Sequence, residues 1–138
     1  MLDQETAARL LRDAHAAAAR AYVPYSRFPV GAALLTTDGT TSMGCNIENA
    51  SYGLTVCAER VAVFNAVANG ARAVVAIAVV AADIDGVTPC GACRQVLNEF
   101  VPPDGELIVV LERDGKPEQT TLAALLPHAF GPRDLASP

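Results

Sequence analysis

A chain of 138 residues can bury one core and is too short for two, so a single domain over residues 1–138 is expected. Ten Lys and Arg against fifteen Asp and Glu give a formal net charge of −5, which opposes accumulation on a phosphate backbone or an anionic membrane, so neither a nucleic-acid polymer nor a membrane is an expected partner. Hydrophobic residues make up 51% of the chain but aromatics only 5%, and the resulting surplus of Ala, Val and Leu suits packed layers and buried subunit contacts.

Met1 to Glu5 shows neither the basic nor the apolar stretch of an export leader, and no run approaches the roughly 18 apolar residues that cross a bilayer. A cytoplasmic location is the expectation. In that reducing compartment the four cysteines are read as ligands, nucleophiles or buried thiols before disulfides. Over residues 3–20, Ala7, Leu10, Leu11, Ala14, Ala17 and Ala18 recur at intervals of three and four, predicting an amphipathic helix with Asp3 as its N-cap. Tyr22 to Tyr25 interrupts it at Pro24. Val30 to Thr36 and Thr41 to Cys45 flank Asp38-Gly39 and read as a β-hairpin, followed by a polar loop from Asn46 to Thr55.

A second helix is predicted from Cys57 to about Asn69, with Val61, Phe64, Val67 and Ala68 along its apolar face and Gly70 at its C-terminal cap. Ala73 to Ala82 is almost continuously apolar, as in a central strand covered on both faces. After the loop Asp83 to Gly86 come a helix from Gly91 to Phe100, a turn at Pro102 to Gly105, a strand from Glu106 to Leu111, and a short helix from Leu122 to Leu126. A tail from about 127 to 138 closes the chain. Helices alternating with strands after a hairpin predict an α/β fold, a three-layer α/β/α sandwich on a mixed sheet of about five strands.

Cys90-Gly91-Ala92-Cys93 alone is ambiguous between a zinc half-site and a redox dithiol. Cys57 supplies context, because like Cys90 it opens a predicted helix, where the partial positive charge of the helix N-terminus favours the thiolate that zinc needs. Three thiolates from two helix ends would hold one ion and leave a tetrahedral position open for water. Cys45 is the rival fourth ligand of a closed structural site, although at a strand end a buried inert thiol is commoner. Glu59 does not share a helix face with Cys57, yet from the first turn it can reach past the helix end toward that open position and move protons. Taken alone it reads as a solvated helix-terminal Glu. Three sulfur anions leave the site negative, so Arg60 and Arg94 are expected to donate to ligand sulfurs. His15 and His128 are read as surface or packing histidines.

Cys57-Ala58-Glu59 followed by Pro89-Cys90-Gly91-Ala92-Cys93 resembles the three-cysteine zinc deaminase signature. Phe28-Pro29-Val30-Gly31-Ala32, the segment Gly44 to Gly53, and Cys90 to Val96 extend the likeness to the small homotetrameric cytidine deaminases over roughly residues 20–135. The resemblance implies a deaminase-like sandwich and one zinc per chain held by Cys57, Cys90 and Cys93. It further implies hydrolysis of cytidine and deoxycytidine to the uridine forms plus ammonia, in pyrimidine salvage, with Glu59 carrying protons. Asn46 and Glu48 would hold the ribose and Phe28 would pack on the pyrimidine. Tyr52 and Phe130 would complete the pocket of a neighbouring subunit in a homotetramer. His128 stands where relatives often have Gly.

An amide plus a carboxylate without a basic cluster suits hydroxyls and repels phosphate, favouring free nucleosides over nucleotides. Read without the resemblance, Asn46 and Asn49 are equally loop residues bonding backbone, and Phe28 a core residue. Deamination of another small heterocycle and a silent nucleoside-binding protein are the rival functions.

Overall fold

The computed structural model describes residues 1–136; the last two positions of the expected tail lie outside the described residues. Asp3 caps the first helix, α1 (Gln4–Ala18), its carboxylate accepting from the Thr6 N–H at 2.7 Å. Ala7, Leu10, Leu11, Ala14 and Ala17 form the buried stripe of α1. The hairpin strands β1 (Val30–Thr36) and β2 (Thr41–Cys45) pair antiparallel from Gly31 opposite Cys45 to Leu35 opposite Thr41. Its turn is closed by Asp38, which accepts from the N–H and the hydroxyl of Thr40 at 3.1 and 2.8 Å.

The remaining elements are α2 (Ala58–Ala68), β3 (Val74–Ala81), α3 (Gly91–Asn98), β4 (Ile108–Arg113), β5 (Lys116–Thr121) and α4 (Leu122–Leu125). The sheet order is β2-β1-β3-β4-β5, antiparallel throughout except between β3 and β4, which α3 connects in parallel. Alternation along the central strands sorts the core into two layers. Ala33, Ala76, Ala78, Val80 and Val110 pack with α1, whereas Leu34, Ile77, Val79 and Val109 face Ala62 and Val63 of α2, Leu97 of α3 and Leu122 of α4. The architecture is therefore the expected α/β/α sandwich on a mixed five-stranded sheet. Among the described residues no helix is long and apolar enough to cross a membrane.

Two glycines set how closely the helices approach. A Cβ on Gly31 would lie 1.9 Å from the Ala14 carbonyl oxygen of α1, and one on Gly44 would lie 2.4 Å from both the Ala58 oxygen and the Ala62 nitrogen of α2. Only a bare Cα allows this contact, and through Gly44 it fixes where the start of α2, and hence Cys57, sits over the sheet.

Several boundaries differ from the sequence-based expectation. The first helix ends at Ala18 and the third at Asn98, each two residues early, and β4 runs to Arg113 rather than Leu111. The polar loop after β2 is partly ordered: Ile47 bridges both Tyr22 and Val56, and Tyr52–Leu54 forms one 3-10 turn. β5 was not anticipated as a segment. It is an edge strand of polar residues, with Arg113 paired to Glu118 at 3.0 Å across the β4–β5 hairpin.

Candidate metal centre

Cys57 is the N-cap of α2, Cys90 is the N-cap of α3, and Cys93 lies in the first turn of α3. Both caps have extended backbone, with ψ of 153° and 167°, which turns the thiols off the ends of their helices. The three Sγ atoms lie within 4.8 Å of one another, and Cys57 Sγ is 3.9 Å from Cys90 Sγ. Tetrahedral zinc with Zn–S bonds of about 2.3 Å places sulfurs about 3.8 Å apart, so the donor set fits that ion in kind and in spacing. Cys45 ends β2 opposite Gly31, and among the described residues it is not part of the ligand group.

The surroundings are arranged for negative sulfur. The Cys93 N–H points at Cys90 Sγ at 3.4 Å. Desolvation raises the Cys90 thiol, but this backbone donor and the neighbouring thiols outweigh it and hold the group below its ordinary value. Cys93 is fully buried; desolvation, and after it the charge of Glu59, push its thiol up. A divalent cation would reverse that penalty. Arg60 donates from Nη2 to Cys57 Sγ at 3.2 Å, and among the described residues its buried Nε has no partner.

Arg94 departs from expectation. Its Nε donates to the Pro89 carbonyl at 2.7 Å, Nη2 to the Thr88 hydroxyl at 2.9 Å and Nη1 to the Leu125 carbonyl at 2.7 Å. These bonds occupy each of its nitrogens, so Arg94 braces the backbone just before Cys90 instead of donating to a ligand sulfur. Proximity in sequence misled here: Cys57 and Arg60 are three apart across the helix start, whereas Arg94 points back along the entering loop.

Glu59 is 4% exposed, one of two buried polar or charged side chains among the described residues. Desolvation pushes its carboxyl above the ordinary range, with the Cys93 side chain, Arg60 and the Cys90 backbone pulling only partly back. A buried carboxyl beside three thiols is not the solvated helix-terminal Glu that its position in α2 would suggest.

Of the expected substrate residues, Asn46 is bonded to Phe28, Glu48 and Tyr52 share one hollow, and Phe130 is held against α3. Asn46 accepts from the Val30 N–H at 2.9 Å and donates to the Phe28 carbonyl at 2.8 Å, so its amide brackets Pro29. Asn49 bonds its own loop, accepting from Ser51 N–H at 2.9 Å. Glu48 Oε1 accepts from the N–H groups of Tyr25 and Ser26 at 3.1 Å each, and Oε2 accepts from the Ser26 hydroxyl. Tyr25, Ser26, Glu48, Tyr52 and Thr55 line one hollow, with the rings of Tyr25 and Tyr52 5.9 Å apart.

Tyr52 and Phe130 are 74% and 60% exposed. The Phe130 carbonyl is held on α3 by Gln95 and Asn98 at 2.9 and 3.1 Å. His128, just upstream, adopts a left-handed φ of 56°, a conformation that glycine takes at lower cost. A larger cavity bordered by Arg72, Asn98, Leu107 and His128 contains none of the expected site residues. Sequence reasoning passed over Ser26, whose hydroxyl serves both Glu48 and the Phe28 N–H; the Ser-x-Phe spacing of a side-chain turn was its one local signal.

Residues 4–109 match the family model described as the cytidine and deoxycytidylate deaminase zinc-binding region. The chain is 53% identical over 129 residues to a cytidine deaminase of Sporosarcina psychrophila, covering 93% of each chain. It is likewise 53% identical over 126 residues to one from Halalkalibacterium halodurans, covering 91% of this chain and 95% of the relative. The crystal structure of cytidine deaminase from Burkholderia pseudomallei superposes with a TM-score of 0.81 at 51% identity, covering 88% of this chain and 97% of that one. The matched stretch contains both converging helix ends and all three of the clustered thiols, and the chain belongs to the cytidine and deoxycytidylate deaminase zinc-binding family.

Proposed function

We propose that the protein hydrolyses cytidine and deoxycytidine to uridine and deoxyuridine with release of ammonia, as one catalytic domain with one zinc ion on Cys57, Cys90 and Cys93. The observation that carries this reading is the convergence of two helix N-termini that brings three sulfurs within 4.8 Å beside a buried carboxyl. Bound there, zinc supplies Lewis acidity that makes water a nucleophile near neutral pH. Helix N-termini and the Arg60 guanidinium offset the charge of the sulfurs.

Glu59 moves the protons. As carboxylate it takes one from the attacking water and delivers it to N3 of the ring while C4 becomes tetrahedral. It then takes the second and passes it to the amino group, the C4–N bond breaks, and the C4 carbonyl forms. A carboxyl raised by burial suits both directions, since donor and acceptor forms then lie closer in energy at working pH. Asn46 and Glu48 receive the ribose hydroxyls, each retaining unused hydrogen-bonding capacity, and Phe28 packs on the pyrimidine.

Substituting Glu59→Gln keeps the size of the side chain and removes the proton carrier. The variant is expected to retain zinc and fold while turnover of cytidine, followed by ultraviolet absorbance, falls by at least about a hundredfold. Full activity in that variant would refute the assignment.

The assembly we propose is a homotetramer in which Tyr52 and Phe130 complete neighbouring pockets. Their exposure supports this, together with that of Leu54 at 66% and Phe64 at 51%, because large apolar side chains left in solvent favour burial. A cytoplasmic location accords with thiol ligands that need reducing surroundings.

A further inference from the structure

We propose that Ser26 is a positioning residue that ties the Glu48 carboxylate to the backbone of Phe28, holding the ribose-receiving group and the base-packing ring at one fixed separation. The proposal rests on the deaminase reading above. Ser26 Oγ donates its single proton to Glu48 Oε2 and accepts from the Phe28 N–H at 3.0 Å. The Ser26 and Tyr25 N–H groups converge on Glu48 Oε1 at 3.1 Å each. One oxygen of the carboxylate is thus saturated by backbone. The other carries one serine donor and keeps a lone pair for a ligand hydroxyl.

The turn between them is held, not relaxed. Arg27 lies between Ser26 and Phe28 with a left-handed φ of 55°, a conformation that a side-chain-bearing residue keeps only when its neighbours fix it. The Arg27 N–H returns to the Val23 carbonyl at 3.0 Å, and Asn46 fastens the far side of Phe28 through its carbonyl. Both backbone polar groups of Phe28 are therefore bound by side chains, Ser26 on one side and Asn46 on the other. The Ser26 hydroxyl is also the first cause holding the Glu48 carboxyl below its ordinary range, which keeps it an acceptor for ribose hydroxyls.

Ser26 is exposed and lies in the hollow with Glu48 and Tyr52, outside either layer of the core. Its removal opens no cavity, so folding and positioning can be separated. Steady-state kinetics with cytidine, zinc content and Tm are to be compared for wild type, Ser26→Ala, Ser26→Thr, Glu48→Ala and the Ser26→Ala/Glu48→Ala double variant.

Ser26→Ala is expected to raise KM on the order of tenfold, as for loss of a hydrogen bond to a charged group, with kcat, zinc and Tm close to wild type. Ser26→Thr is expected to restore KM. In the Glu48→Ala background the serine substitution is expected to add less than about threefold, because the two residues act together. An unchanged KM in Ser26→Ala, an equal penalty in both backgrounds, or a loss of zinc and Tm in step with kcat would each overturn the proposal. A wild-type protein inert toward cytidine would overturn the underlying reading and this proposal with it, whereas an active wild type with an indifferent Ser26→Ala overturns this proposal alone.

Discussion

Cys45 and Cys93 are thiols of the same chain with opposite surroundings. Cys45 closes a strand on the hairpin, while Cys93 is wholly buried beneath two helix ends with Glu59 and two further sulfurs around it. Cys45→Ala should therefore keep about one zinc per chain, and Cys93→Ala should lose it, as read by metal analysis of the dialysed proteins. The reverse pattern would mean that the ligand set is wrong. The two arginines show where single-residue reading stops. Each follows a metal-site residue, but only Arg60 has a sulfur in reach; Arg94 spends its guanidinium on three oxygens of the loop and of α4, an arrangement visible only once α3 and α4 are side by side. Ser26 was equally hidden, because its carboxylate partner lies 22 residues away.

Elements that carry their own signal were legible. The three-and-four spacing of α1, the unbroken apolar run of β3 and the loops that end at Cys57 and Cys90 before α2 and α3 depend on local periodicity and capping, and those elements begin within about two residues of where the pattern puts them. β5 has no such signal: Lys116, Glu118 and Gln119 bury little, and an edge strand needs only one partner. The one cue was Asp114-Gly115, whose positive φ values of 52° and 74° make the tight turn that joins β4 to β5. Packing between elements supplies a sharper test. Gly44→Ala must push α2 off β2, since its Cβ would meet backbone atoms at 2.4 Å, and a loss of about 2–3 kcal/mol is expected, together with weakened zinc retention through Cys57. Gly53→Ala, where nothing lies within 4 Å, is the matched control and should leave Tm nearly unchanged. Equal denaturation midpoints for the two variants would contradict the close-approach argument.

At the scale of the whole molecule, the sheet serves as a platform that brings the N-termini of α2 and α3 to one side. A single chain leaves Tyr52, Leu54, Phe64 and Phe130 in solvent, and the residues proposed to complete the pocket are among the most exposed apolar side chains it has. If neighbouring subunits supply them, specific activity should fall as the protein is diluted below its dissociation constant, in step with a drop in mass measured by light scattering. Constant specific activity in a sample shown to be monomeric would confine the pocket to one chain.

The most direct measurement is X-ray absorption at the zinc edge on purified, active protein. Three sulfur neighbours at about 2.3 Å and one lighter atom at about 2.0 Å are expected, the open position next to Glu59 being filled by water. Four sulfurs, or an ion with fewer than three, would contradict it.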